Sequence, residues 1–354
     1  ELRMRATTLE PRSCGRGTCT VSPYAAHSRN ATKVALCWGG ATNIATMVAM
    51  LRHTNFSLRF AAYAFAALLL LVPCTAVAQT ADSLASVQSE LYPSAADGND
   101  PRRRISFHVL RVNAVVPVPI AEKTILLPGL KYEHTNVMID DAPETPAPVL
   151  RTASLSMGVA QGIGEHWTVI GTVGAGVASD FAQTLSRRDL VFTGAALMLY
   201  KIGPALSVGG GIAYDQRTGA PLPLPALLVN WRPLENFRVR GFVPARVDAE
   251  YRIARWFTAG VFAMFNGDRY ALSEKVYGRP NLQIAFSTAE LGPKITFSAG
   301  DWVHVDLSTT VPVYRRYDLY EDGNKRDGAS LAMVPAYGVK FRLGPSLWDP
   351  ADAR

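Results

Sequence analysis

From about residue 103 to residue 343 the chain alternates apolar and polar side chains, segment after segment, with Gly, Pro or charged clusters between. A period of two places successive side chains on opposite faces of a β-strand. In 301–313, Val303, Val305, Leu307, Val311 and Val313 take one face, and His304, Asp306, Ser308 and Thr310 take the other. In 237–253, Phe237, Val239, Val243, Val247, Tyr251 and Ile253 oppose Arg238, Arg240, Arg246, Asp248, Glu250 and Arg252. In 331–343, Leu331, Met333, Tyr337, Val339, Phe341 and Leu343 oppose Lys340 and Arg342. In 154–159, Leu155, Met157 and Val159 oppose Ser154, Ser156 and Gly158. The sequence shows no helical period and no repeat of the propeller or solenoid kind.

Two all-β architectures accept such strands. A soluble sandwich buries the apolar face and wets the charged one. A transmembrane barrel puts the apolar face on lipid and the charged face in its lumen. Segment length favours the barrel, since a tilted strand needs about 9 to 11 residues to cross a bilayer and globular strands average about 5 to 6. The tryptophans agree: Trp167, Trp231, Trp256 and Trp302 fall at segment ends beside short turns, where interfacial aromatic girdles belong. The expectation is an all-β, transmembrane, antiparallel up-and-down barrel of about 12 strands, with 10 to 14 allowed. The strands are placed at 104–118, 123–137, 149–162, 166–178, 187–202, 205–215, 222–232, 237–253, 256–271, 282–298, 301–318 and 329–343. The alternating Pro221, Pro223 and Pro225 suggest that the seventh starts later, near Ala226. One conflict stands. With 237–253 as a single strand, the short turns do not all fall on one side of the membrane. Splitting it near Pro244 repairs this but gives an odd count, and the charged alternation runs unbroken across that proline.

The front of the chain reads differently. Arg52 and Arg59, the apolar run Phe60–Val72 and Ala76-Val77-Ala78 make the three parts of a secretory signal peptide at 50–78. The apolar run is too short for a membrane anchor. Pro73 before Cys74 disfavours lipidation. Residues 1–49 read as a non-native extension, with Met50 or Met47 as the start. Residues 79–102 read as a flexible lead-in and 344–354 as a tail. The net charge of +7 resides mainly in the front: of 36 Lys/Arg and 29 Asp/Glu, residues 1–78 hold eight and two, leaving 28 and 27. The remainder is therefore nearly neutral, and no nucleic-acid partner is inferred. All four cysteines (Cys14, Cys19, Cys37 and Cys74) also lie in the front, and their spacing makes a poor metal site.

Four stretches carry a family resemblance: LLPGLKYEH at 126–134, GIGEHWTV at 162–169, GGGIAYDQRTGAPLPLPALLVNWRP at 209–233 and FRVRGFVPARVDAEYRI at 237–253. The chain resembles an uncharacterised bacterial outer-membrane β-barrel family known as a domain of unknown function. It is also similar to the barrel family of a phenol-degradation operon (MetA-pathway). The resemblance implies an outer-membrane barrel over about 103–343 and supplies no catalytic residues. Many such barrels end on a terminal aromatic, whereas here eleven residues follow Leu343.

Little in the sequence points to catalysis, a metal or a cofactor. His304 and Asp306 share a face and form the best acid–base candidate, though a hydrogen-bonded pair inside a barrel explains them as well. Asp140-Asp141 lacks a regular run of calcium ligands. Gly209-Gly210-Gly211 is followed by neither helix nor Lys-Ser/Thr, so it makes no phosphate loop. The candidate lumen lining is Arg238, Arg240, Arg246, Asp248, Glu250, Arg252, His304, Asp306, Lys340 and Arg342. Two readings of that lining stay open: a conducting path biased by charge, and a salt-bridge network filling a narrow barrel. The functional expectation is a passive channel or uptake barrel for small solutes in the bacterial outer membrane. Its partners would be outer-membrane lipid, the barrel-assembly machinery and a small solute. A non-conducting structural or surface-interaction barrel is the alternative, and a lipid-acting barrel enzyme is a third.

Overall fold

The computed structural model describes residues 83–140, 148–216, 223–346 and Trp348. The expected extension at 1–49, the expected signal peptide at 50–78 and the four cysteines lie outside the described residues.

Among the described residues the chain forms sixteen strands. The first six are β1 (Ala85–Ala96), β2 (Arg104–Val115), β3 (Val118–Ala121), β4 (Thr124–Asp140), β5 (Val149–Ile163) and β6 (Trp167–Ser179). Then come β7 (Leu190–Gly203), β8 (Leu206–Asp215), β9 (Pro223–Leu234), β10 (Phe237–Val243), β11 (Arg246–Ala254) and β12 (Phe257–Ala271). A one-turn helix, α1 (Glu274–Tyr277), precedes β13 (Leu282–Ala299), β14 (Val303–Glu321), β15 (Asn324–Ser330) and β16 (Ala336–Leu343). β3 pairs only with β4, and β15 only with β14. The other fourteen pair antiparallel in one ring, closed where Ala85 of β1 faces Leu343 of β16. Closure pairs the first strand of the ring with the last, so neither is left as a lateral edge, as it would be in an open sheet.

The count corrects the expected twelve to fourteen, and two residue-level findings account for it. First, 85–96 is not a flexible lead-in but β1. Its backbone is paired on both sides, to β2 and to β16, so a polar segment is held by ladder bonds. Second, 237–253 is not one strand but the hairpin β10–β11. Its last pair is Phe242 with Arg246, with three residues between them centred on Pro244. An odd connection gives paired residues the same parity, so the inward face stays on even numbers through the turn. The alternation therefore carries no trace of the reversal. With this split, the connections 164–166, 204–205, 235–236, 255–256 and 300–302 and both ends of the ring gather at one end of the barrel; the longer loops lie at the other, together with the tight β10–β11 turn. Two smaller corrections follow the same ladders. β9 starts at Pro223, paired only to β8, so its prolines meet no donor requirement on their open side. The segment 329–343 breaks into the end of β15 and β16.

The apolar faces point outward. Leu155 is 68% exposed, and Met157, Val173, Val261, Leu291, Val313 and Phe341 are exposed with it. A sandwich would bury these side chains, so the barrel is the architecture present. Strand β13 shows how the two faces change along the axis. Its inward residues run Leu282, Ile284, Phe286, Thr288, Glu290, Lys294 and Thr296, from apolar at the loop end to charged below. Its outward residues run Gln283, Ser287, Leu291, Ile295 and Phe297, from polar to apolar. The lower part is thus apolar outside and charged inside, and the upper part is polar outside and apolar inside.

Candidate functional site

The barrel interior has three levels. At the loop end an apolar cluster fills it. Tyr92, Phe107, Val109, Leu150, Tyr270, Leu282, Ile284 and Tyr317 are buried together, drawn from β1, β2, β5, β12, β13 and β14. Phe107 meets Phe286 edge-on at 5.0 Å between ring centroids. The ring is also pinched here: Ala271 of β12 pairs in parallel with Ser179 of β6. Asp180 strengthens the pinch, its backbone N–H donating to the Ala271 carbonyl at 3.2 Å and its carboxylate accepting the Ser273 N–H at 2.8 Å. Beside it, burial together with Asp180 pushes the Tyr277 phenol up to about 12.

Below the cluster lies a cavity of about 50 Å³ walled by Tyr92, Phe107, Phe286, Tyr270, Arg111 and Arg315, among others. Its polar groups form a chain. Arg111 binds Glu90 and, at 2.8 Å, Glu133. Lys131 stands 3.2 Å from Glu133, and the Tyr270 hydroxyl donates to it at 2.8 Å. The Tyr92 hydroxyl donates to Glu90 at 3.1 Å. The sequence reading missed this group. The signal was present as Lys131 and Glu133, which stand two apart and so share one face of β4.

The third level holds the residues expected to line the lumen. Arg238 and Glu250 are buried, face each other across β10–β11 and form an ion pair. Arg240 faces Asp248 in the same register. Arg246 binds Asp248 through two nitrogens, at 2.7 and 2.9 Å. Lys294, absent from the sequence-based set, sits 2.5 Å from Asp248 and 2.6 Å from Glu250. Arg342 grips Asp306 through two bonds of 2.7 and 3.0 Å, and Lys340 faces Asp306 in register. His304 and Asp306 do not pair. His304 instead engages the Ser298 hydroxyl at 2.9 Å through Nδ1 and the Gly344 carbonyl at 3.2 Å through Nε2. Asp306 accepts from Thr296 at 2.7 Å and from Arg342.

The segment after β16 enters this level, which corrects its reading as a plain tail. Trp348 is 7% exposed and borders the same small cavity as Arg238, Glu250, His304 and Arg342. Its ring has the Arg238, Arg252 and Arg232 guanidinium carbons at 4.6, 5.2 and 5.9 Å from a centroid. Arg232 also donates to its carbonyl at 2.6 Å. Guanidinium groups over an indole face are held by the ring quadrupole. Of the expected interface aromatics, Trp167, Trp231 and Trp256 are exposed on the outside near the short-turn end, and Trp302 is half-buried in the turn before β14. Trp167 packs on Tyr200 at 4.6 Å, and Trp256 stacks near Phe297 at 6.3 Å.

The wall is uneven in height. The β10–β11 hairpin ends at Arg246, opposite Met264, while β12 continues to Ala271. On the other flank β10 ends against Leu227, while β9 starts at Pro223. Between the hairpin tip and the β6–β12 pinch, the upper β12 therefore has no strand on its β11 side. Asn266, Gly267 and Asp268, which border the middle cavity, lie in this stretch.

Among solved structures the chain is similar to an outer membrane channel from Pseudomonas putida F1, at 9% identity over 77% of this chain and 99% of that one, with a TM-score of 0.42. It is similar to the TodX monoaromatic hydrocarbon channel deltaS2 mutant, at 11% identity over 76% and 92%, with a TM-score of 0.39. It is also similar to the translocator domain of the autotransporter NalP from Neisseria meningitidis, at 10% identity over 86% and 99%, with a TM-score of 0.32. Likeness this distant carries no information on cargo. No curated protein sequence matches the chain. The sequence pattern of the family described as a domain of unknown function (DUF6268) matches residues 124–326, more than half of the chain, and the chain belongs to that family.

Proposed function

We propose that the protein spans the bacterial outer membrane, exported by the signal peptide at 50–78, and offers small solutes a narrow route rather than an open pore. The observation that carries this is the charged interior of Arg238, Asp248, Glu250, Lys294 and Arg342 inside a belt of outward Leu, Val, Met and Phe. A charged interior within an apolar belt suits a lipid surround. The apolar cluster at the loop end and Trp348 at the other close the straight axial path. The low wall above β10–β11 leaves the middle cavity a sideways approach. Membrane lipid and the barrel-assembly machinery are its partners in this reading, and kinship with the phenol-degradation-operon barrels belongs to it. Catalysis does not, because both ring nitrogens of His304 are engaged and Asp306 is held by Arg342.

The test is twofold. The protein in an outer-membrane fraction should shift in gel mobility on boiling, and a soluble protein with no shift would remove the membrane reading. In proteoliposomes, swelling in a small neutral sugar should exceed the protein-free rate severalfold, without large steady conductance. Swelling at the protein-free rate would leave the second reading, a non-conducting barrel, which the two closed ends favour.

A further inference from the structure

Arg315 on β14 is 3% exposed and stands at the middle cavity. Its guanidinium carbon lies 5.1 Å from the Tyr92 ring centroid and 4.6 Å from that of Phe107. Its terminal nitrogens Nη1 and Nη2 have no hydrogen-bond partner among the described residues. The two rings flank the guanidinium, and its fork of donors has no acceptor. Buried charged donors are costly to leave unpaired. Most of the neighbouring charges are accounted for otherwise; Glu290 is the exception, since its Oε1 and Oε2 are also buried without a hydrogen-bond partner among the described residues. Arg111 is taken by Glu90 and Glu133, and Arg316 by Asp318 at 2.8 Å. Asp268 borders the cavity and has its own interactions. Glu290, 2% exposed, acts on Arg315 through space but puts no oxygen on Nη1 or Nη2.

We propose that this cavity binds a small aliphatic carboxylate, of formate to propionate size, with its two oxygens on the Arg315 fork. This rests on the solute-route reading and names the solute class. Three features argue for it. A guanidinium fork matches a planar carboxylate through two parallel hydrogen bonds, which a spherical anion cannot use. The rest of the wall is largely ring carbon, from Phe107, Phe286, Tyr92 and Tyr270, which suits a short alkyl tail. At about 50 Å³ the cavity is several times the roughly 10 to 15 Å³ that one water needs, and it is too small for a large ligand without rearrangement. The stretch Asn266–Asp268, where the wall lacks a β11 neighbour, supplies the way in.

The experiment uses the full chain in detergent micelles, with ¹³C-acetate and ¹³C-propionate followed by saturation-transfer NMR and competed by chloride and by phosphate. Saturable binding is expected, with chloride and phosphate competing at least tenfold more weakly. Arg315→Met should abolish it. Arg315→Lys, which keeps the charge but loses the fork, should weaken it at least tenfold and decides the matter if the Met variant does not fold. Absent saturable binding, binding unchanged in either variant, or equal competition by chloride would overturn the proposal. Swelling of proteoliposomes in a neutral sugar is measured on the same preparation. Sugar flux without carboxylate binding would sink this inference and leave the solute route standing.

Discussion

Lys294 reaches Glu250 across an intervening strand because Gly260 stands between them. Lys294 of β13 pairs in register with Gly260 of β12, and Gly260 pairs with Glu250 of β11. With no side chain at the middle position, the ammonium passes over β12 and ends 2.6 Å from Glu250 and 2.5 Å from Asp248. Lys294→Met removes a cation shared by two buried carboxylates, which retain Arg238 and Arg246. The expected loss is about 3 kcal/mol, the low end for breaking a buried pair. Gly260→Val should cost at least as much, since even a Cβ there would meet the Ala249 carbonyl oxygen at 2.5 Å. Urea midpoints of both variants in micelles check this, and an unchanged midpoint for Lys294→Met would show that the two arginines alone suffice.

Glycine also sets how closely neighbouring strands approach. A Cβ at Gly292 would lie 1.9 Å from the Thr309 carbonyl oxygen, and one at Gly211 would lie 2.0 Å from that of Ala196. Backbone atoms cannot step aside as a flexible side chain can. Gly292→Ala and Gly211→Ala should each destabilise by about 2 to 3 kcal/mol, the cost of overpacking. Gly171→Ala is the control: a Cβ there meets nothing within 4 Å, and its effect should stay within about 0.5 kcal/mol. Equal effects at all three sites would refute the close-approach argument.

Trp348 covers the short-turn end of the interior, with three arginines about its ring. Because residues 79–354 contain no cysteine, access beneath it can be read chemically. In a background with Cys14, Cys19, Cys37 and Cys74 changed to Ser, Thr258→Cys should react slowly with a charged thiol reagent. Adding Trp348→Ala should raise the rate about tenfold or more. No acceleration would mean that Trp348 packs in this end without closing it.

The barrel was legible in the sequence because each long strand alternates inward and outward side chains and most strands end at a visible turn. What stayed hidden has physical causes. The Phe242–Arg246 reversal preserves parity, so no alternation test detects it. β1 was hidden because Ser86, Gln88, Ser89, Glu90 and Ser94 make it polar. Those side chains belong to a strand stabilised by its two neighbours and by Glu90 meeting Arg111 and Tyr92, not by an apolar face of its own. Deleting 85–96 should therefore abolish the heat-modifiable form. The lumen face was readable strand by strand, but the partners were not. Nothing in one strand says that Lys294 will reach two strands away, or that a tryptophan five residues beyond β16 will enter the interior.

The outer belt makes its own prediction through tryptophan light emission. Trp167, Trp231 and Trp256 are exposed on the outside near one end of the barrel, where amphipathic rings sit at a membrane–water interface. Trp348 lies inside. In single-tryptophan variants reconstituted into bilayers with brominated acyl chains, each of the three outer residues should be quenched strongly, most by bromines placed near the headgroups. Trp348 should be quenched at most weakly, because protein stands between its ring and the lipid. Bromines deep in the acyl chains that quench Trp256 best would move the interface off the short turns. Absence of quenching at all three outer positions would mean that the apolar faces do not meet lipid, and the charged interior would then need another explanation.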